Sequence, residues 1–185
     1  DVIEDIITDI APKAVNVAAV KSAEHFAWLD ENLFQHLCLR WFDKGAFEPA
    51  ANFLSLTLSV DNQIIHPTRL LGLYLGAEQG WERVDDVPYF YRDYDQRSAD
   101  LLQQLDSDYS SIRLKIIERF PTHDFRYMLD YLALERFSYA SENQSVIDSF
   151  VNSKTLRAIK TPVVPDGAGR FQLDRENRFF SDDIY

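Results

Sequence analysis

His66 is the side chain best suited to move a proton. It stands in the string DNQIIHPTR and is followed by Pro67. An imidazole has an unperturbed pKa of about 6.5, so it can take and return a proton near neutrality. A histidine in an apolar run also suits a buried ring satisfied by a backbone carbonyl, and position alone leaves both readings open. Proline disfavours helical backbone in the residue before it, so the string predicts a helix that ends on His66. A second cluster lies in ENRFFSDDIY, where Arg178 is followed by Asp182 and Asp183. A guanidinium can grip a carboxylate through two hydrogen bonds, and a nearby carboxylate can orient an imidazole or hold an amino group. An exposed ion pair would use the same residues, but the flanking aromatics argue for partial burial.

Other chemistries fail on spacing. His36 and Cys38 are two residues apart and would point to different sides of a helix, and His25 has no companion, so no metal site is expected. Neither GxGxxG nor GxxxxGK[ST] occurs, so the phosphate-cradling turn that a nucleotide requires is not found in this sequence. Gly72, Gly76 and Gly80 are evenly spaced but lack the flanking strand and helix of such a turn. They read as punctuation that breaks the chain before Trp81.

The elements that must position these residues follow from periodicity. The Val- and Ala-rich stretch 13–28 predicts one or two strands, and 31–42 a short helix on Leu33, Phe34, Leu37 and Trp41. Pro49 is placed to open a helix that carries Phe53, Leu54, Leu56 and Leu58 toward His66. The aromatic run PYFYRDY from Pro88 predicts loop or extended chain. Residues 95–120 give the clearest helix, with apolar residues at Leu102, Leu105, Tyr109, Ile112 and Ile116. A helix opening at Thr122 or His123 and carrying Phe125, Met128, Leu129 and Leu132 should follow, then one including Val146, Phe150 and Leu156. VVPDGAGRFQL predicts a hairpin over 163–173. The fold class expected is mainly α with a few strands.

The chain has 185 residues, 46% hydrophobic and 14% aromatic, enough to bury a core. With 19 basic and 30 acidic residues it carries a net charge of -11. That balance argues against nucleic acid as a partner, since basic groups supply most of that affinity. No apolar run approaches the roughly 20 residues of a membrane span. A single cysteine, Cys38, fits a reducing, cytoplasmic setting. The chain opens on Asp1 without a secretory leader and stops after FFSDDIY, from which we expect a piece of a longer protein.

Taken together, the strings resemble a known family. AFEPAANFLSLTLSVDNQIIHPTRLLG is similar to the opine dehydrogenase pattern in which a Pro-Ala-x-Asn helix leads through an Asn to Ile-His-Pro, here Pro49, Ala50, Asn52, Asn62, Ile65, His66 and Pro67. NRFFSDDIY resembles that family's late Arg–aromatic–acid–Asp–Ile signature, with Arg178, Asp182, Asp183 and Ile184 in register; Asp182 stands where many relatives have Glu. The middle of the chain looks most like the opine metallophore, staphylopine-type, dehydrogenases. The resemblance implies a two-domain enzyme in which residues 1–45 are the tail of a nucleotide-binding domain and its linker, and 46–185 the helical substrate domain. It implies NADPH or NADH held mainly by a domain that this sequence lacks, so that this piece alone would be inactive. It further implies a 2-oxo acid and an amino-acid-derived amine as substrates, joined by reductive condensation, and a homodimer. His66 and Asp183 would be catalytic, and Arg178 and Asn62 would bind substrate. The competing expectation is a non-catalytic helical module for binding or oligomerisation.

Overall fold

The computed structural model describes residues 15–18, 22–37, 46–153 and 156–177. In chain order its elements are β1 (Val15–Ala18), α1 (Ala23–Leu29), β2 (Ala46–Pro49), α2 (Leu54–Thr57), α3 (Asn62–Gly76), α4 (Gln96–Arg119), α5 (Tyr131–Tyr139), α6 (Val146–Val151), β3 (Val163–Pro165) and β4 (Phe171–Leu173). Short 3-10 turns occupy Val84–Asp86 and Leu156–Ala158. Helix dominates, as expected. Two compact units divide the chain, one drawing on 10–60 and 106–143 and the other on 61–105 and 144–185, with α4 contributing to both.

In the first of these units β1 and β2 pair in parallel, Val15 opposite Ala46 and Ala18 opposite Pro49. Parallel strands need a crossover, and here it begins with a helix rather than a second strand. Ser22 caps α1 by accepting from the His25 N–H, so AEHFAWL turns helical and the strand expected over 13–28 is confined, among the described residues, to 15–18. The helix continues through a π turn at Asp30–Phe34 and ends at Gln35–Leu37. Trp41, also expected on it, lies outside the described residues. Phe34 stacks on Phe47 of β2 with ring centroids 4.1 Å apart. Pro49 closes β2 instead of opening a helix. A residue without an N–H is tolerated at a strand end.

The helix expected from residue 122 does not form before Tyr131. Its backbone is committed elsewhere: Asn52 Nδ2 donates to the Asp124 carbonyl at 2.6 Å, and the Ser59 hydroxyl donates to the Tyr127 carbonyl at 2.6 Å while accepting from the Leu129 N–H at 2.8 Å. Asp130 then caps α5 by accepting from the Ala133 N–H. Each of these bonds competes with a helical one, and together they hold 121–130 as irregular chain.

The other unit is built around α3, which reverses two expectations. His66 does not end a helix but lies in its second turn, with Pro67 inside the helix. Gly72 and Gly76 are helical too. Proline costs one backbone bond and some steric strain, and the burial of Ile64, Ile65, Leu70 and Leu73 offsets that loss. The long helix α4 and the β3–β4 hairpin form where expected, the latter in antiparallel register with Val163 opposite Leu173. Gly80, at φ +72°, brings its Cα side against the Phe171 carbonyl, where a Cβ would stand 2.3 Å from that oxygen. It is a packing glycine of this unit, not part of a phosphate cradle. Among the described residues no helix is long and apolar enough to cross a membrane.

Candidate active site

Helix α3 carries His66, Arg69 and Gly72 at intervals of three, so all three lie along one buried stripe. Asp61 accepts from the Asn62 N–H at 2.6 Å and its carbonyl receives the Ile64 and Ile65 N–H groups, which starts the helix. The Thr68 hydroxyl turns back onto the carbonyls of Ile64 and Ile65, at 2.5 and 3.1 Å. Gly72 has no Cβ to keep α4 away; one built there would meet Ser98 Oγ at 2.3 Å and Ser98 Cα at 3.1 Å. The first turn of α4 thus packs directly on the α3 backbone.

Arg69 is completely buried and uses every hydrogen it has. Its Nε donates to the Phe90 carbonyl at 2.8 Å. One terminal nitrogen reaches the Ser98 hydroxyl at 3.1 Å and the Asp95 carboxylate at 3.3 Å. The other reaches the carbonyls of Tyr89 and Asp93, at 3.0 and 2.9 Å. Five donors meet five acceptors, which is the full capacity of a guanidinium. Burial pulls the Arg69 pKa below its ordinary value, and the Asp95 charge opposes that pull. Burial also pushes against the Asp95 carboxylate, but the Ser98 N–H and hydroxyl and the charges of Arg69 and Arg97 outweigh it, holding Asp95 below its usual range. Asp95 is at the same time the cap of α4, accepting from the Ser98 N–H at 2.8 Å.

Residues 88–95 therefore form a pinned aromatic turn. Its far side is tied as well, with the Phe90 N–H on the Ile159 carbonyl at 3.0 Å and the Thr161 hydroxyl on the Pro88 carbonyl at 2.6 Å. From this turn Tyr91 places its Oη 2.7 Å from His66 Nε2. His66 is 7% exposed and Tyr91 5%. Phe90 meets the imidazole edge-on at 5.6 Å, and Phe150 of α6 lies 5.4 Å from the Tyr91 ring and 4.4 Å from Tyr94. A buried imidazole hydrogen-bonded to a phenol, in apolar walls, is equipped to hold and pass a proton.

Asn62, expected to bind substrate, is exposed at the first position of α3, one turn before His66 and on the same helical face. Arg178, Asp182 and Asp183 lie outside the described residues, as does Cys38. Among the described residues no group of three or more His, Cys, Asp or Glu side chains could hold a metal ion. Arg69 and Tyr91 escaped the sequence reading. The signal for Arg69 was its i, i+3 spacing from His66, a charged residue on an otherwise apolar helical stripe; for Tyr91 there was none beyond the aromatic density of its segment.

Residues 49–185 match the family described as NAD/NADP octopine/nopaline dehydrogenase, alpha-helical domain. The chain belongs to that family. Its fold agrees: the solved structure of octopine dehydrogenase with NADH and agmatine is similar at a TM-score of 0.70 and 20% identity, over 93% of this chain and 42% of that one. The octopine dehydrogenase complex with NADH and L-arginine gives 0.68 at 20% identity, over 93% and 42%, and that with NADH and pyruvate 0.66 at 20% identity, over 93% and 40%. The chain thus spans about two fifths of the length of these octopine dehydrogenases. No curated protein matches it. Within this family the α3 histidine lies in the helical domain that the matched residues form.

Proposed function

We propose that this chain is the substrate domain of an opine dehydrogenase of the metallophore type, in which His66 is the general acid and base. The observation that carries the proposal is the burial of His66 on α3 with Nε2 held at 2.7 Å by Tyr91, inside the stretch matched by the family's helical domain. The solved relatives were captured with L-arginine, agmatine and pyruvate, an amine side and a 2-oxo acid side. In the proposed reaction the amine of an amino-acid derivative adds to the 2-oxo carbon, water leaves, and the resulting C=N bond is reduced. His66 takes a proton from the attacking ammonium and returns one to the departing hydroxyl. Arg178 and Asn62 grip substrate carboxylates, and Asp183 orients the imidazole or holds the amine.

A reduced nicotinamide, NADH or NADPH, supplies the hydride when bound. The described residues offer it no phosphate cradle, since Gly72 and Gly76 are helical and Gly80 is filled by Phe171. We place its binding outside them, in keeping with a nucleotide-binding domain that ends within 1–45 and a substrate domain over 46–185. The single cysteine favours a reducing, cytoplasmic setting, and the resemblance to the family favours a homodimer.

The test uses the intact protein. NADPH and NADH oxidation is followed with pyruvate and 2-oxoglutarate, each against arginine and an aminobutyrate-bearing histidine derivative. Turnover on the histidine derivative supports the metallophore type, and turnover only on arginine moves the enzyme to the octopine type. No turnover across the set sinks the proposal and leaves the non-catalytic module. His66→Ala should lower kcat by about 10²–10⁴-fold with an unchanged fold; full activity in that variant refutes the acid–base role.

A further inference from the structure

We propose that Tyr91 is the positioning residue for His66, its phenol holding Nε2 and so deciding which ring nitrogen carries the proton, with Arg69 fastening the turn that delivers it. The inference rests on the reading of His66 as acid and base. A neutral imidazole has one nitrogen that donates and one that accepts, and the partner of one fixes the role of the other. A base that serves the substrate needs a lone pair that Tyr91 does not occupy, so in the neutral ring Nε2–H donates to the Tyr91 oxygen at 2.7 Å and the lone pair is on Nδ1. When the ring takes a second proton on Nδ1, Nε2–H keeps the same bond to the phenol oxygen. The contact therefore survives both states, and the ring keeps its direction through a cycle of proton transfers.

Such a partner is useful only if it is itself held still. Tyr91 lies between residues whose carbonyls are taken by Arg69, those of Tyr89, Phe90 and Asp93. Asp93 adds an internal clasp, accepting from the Tyr89 N–H at 2.8 Å. The other edge of the turn is bridged to Lys160. The ring of Tyr91 is packed against Phe90 at 4.9 Å and Phe150 at 5.4 Å. Arg69 sits one helical turn from His66 on the same stripe, so the residue that anchors the turn and the residue that the turn contacts share a single rigid element. This geometry separates the two roles: Arg69 spends all its donors on protein and has none for a substrate carboxylate, whereas Tyr91 meets the imidazole through its hydroxyl.

Tyr91→Phe removes that hydroxyl and keeps the ring. The intact protein is labelled with ¹⁵N-histidine, and the His66 signals are identified by their loss in His66→Gln. In the wild-type spectrum one His66 nitrogen should be of the hydrogen-free type and the other protonated, a single tautomer with the proton on Nε2. In Tyr91→Phe the two nitrogens should move toward an averaged pair, and kcat should fall about tenfold or more while KM stays within about twofold. An unchanged nitrogen spectrum overturns the contact; so does a wild-type kcat in a folded Tyr91→Phe protein. The spectrum does not depend on knowing the substrate. A tautomer shift in a protein without opine synthesis would refute the enzyme reading while supporting the Tyr91–His66 contact, and an active enzyme with no shift would do the reverse.

Discussion

Two buried arginines, one in each compact unit, are used in opposite ways. Arg69 has four neutral acceptors and a half-exposed carboxylate at 3.3 Å, and most of its acceptors belong to one turn, 89–95. Arg113 on α4 has a close charge partner instead, Asp106 at 2.8 Å, whose side chain is 14% exposed. Its remaining donors reach the Leu58 carbonyl at 2.7 Å and the Ser110 hydroxyl at 2.8 Å. Asp106 in turn accepts from the Tyr131 N–H at 3.0 Å and so starts α5. Arg113 is a charge pair that joins helices, and Arg69 is a neutral-acceptor clamp that shapes a loop. The first kind can be replaced by removing both charges; the second cannot, because its acceptors are backbone.

That difference predicts the largest effects. Arg69→Met should cost about 3–5 kcal/mol in chemical denaturation, because buried carbonyls are left without donors. Adding Asp95→Asn should recover almost none of it. Arg113→Met should cost about 3 kcal/mol by stranding the Asp106 carboxylate, and adding Asp106→Asn, which can still accept from Tyr131, should restore at least about 1 kcal/mol. The His66 nitrogen signals should change in the Arg69 variant and not in the Arg113 variant. Equal recovery in the two double variants would break the comparison.

A smaller effect tests how tightly the clamp is closed. Gly72→Ala gains about 1 kcal/mol of helix propensity, yet its Cβ would press on both the side chain and the Cα of Ser98, a partner of Arg69. Backbone cannot give way cheaply, so a net loss of about 1–2 kcal/mol is expected, with an earlier thermal transition. Gly76→Ala is the control. Its nearest neighbour is the mobile end of Arg97 at 3.4 Å, and it should be neutral or slightly stabilising. A stable Gly72→Ala protein would mean that α4 packs less closely than described.

What sequence reasoning captured and missed follows the same division between local and distant causes. Helix α4 was legible because its apolar residues return every three or four positions, and the hairpin because Asp166 and Gly169 write a turn into the chain. His66 was singled out by its chemistry and its place before Pro67, but its position inside α3 was not legible. A local preference for helix termination was overridden by the burial of Ile64, Ile65, Leu70 and Leu73. The irregular segment 121–130 was lost for the same reason, since its carbonyls are claimed by Asn52 and Ser59, about 70 residues away. The pairing of Tyr91 with His66 depends on both Arg69 and the Thr161 bond to Pro88, and no spacing encodes that convergence.

The smallest effect at neutral pH sharpens the comparison from the side of Tyr94, whose ring lies 5.2 Å under the Arg69 guanidinium. Among the described residues nothing meets the buried Tyr94 hydroxyl with hydrogen-bond geometry. Burial pushes its phenol up to about 12; the Thr68 hydroxyl, which spends its hydrogen on the Ile64 and Ile65 carbonyls and does not meet Tyr94 with hydrogen-bond geometry, and the Arg69 charge oppose that only in part. The folded protein therefore keeps the proton longer than an unfolded tyrosine, whose pKa is about 10. The resulting stability is fully present below pH 10 and is lost as pH rises from 10 through 12, about 2–3 kcal/mol over that window. Tyr94→Phe gives up no hydrogen bond, so at pH 7 its stability should stay within about 1 kcal/mol of wild type. Between pH 10 and 12 it should lose less than wild type by most of that 2–3 kcal/mol, read as the difference between the two denaturation curves at each pH. Parallel losses in both proteins would mean that Tyr94 ionises as freely as an exposed tyrosine, and that the wall between Arg69 and Phe150 admits water.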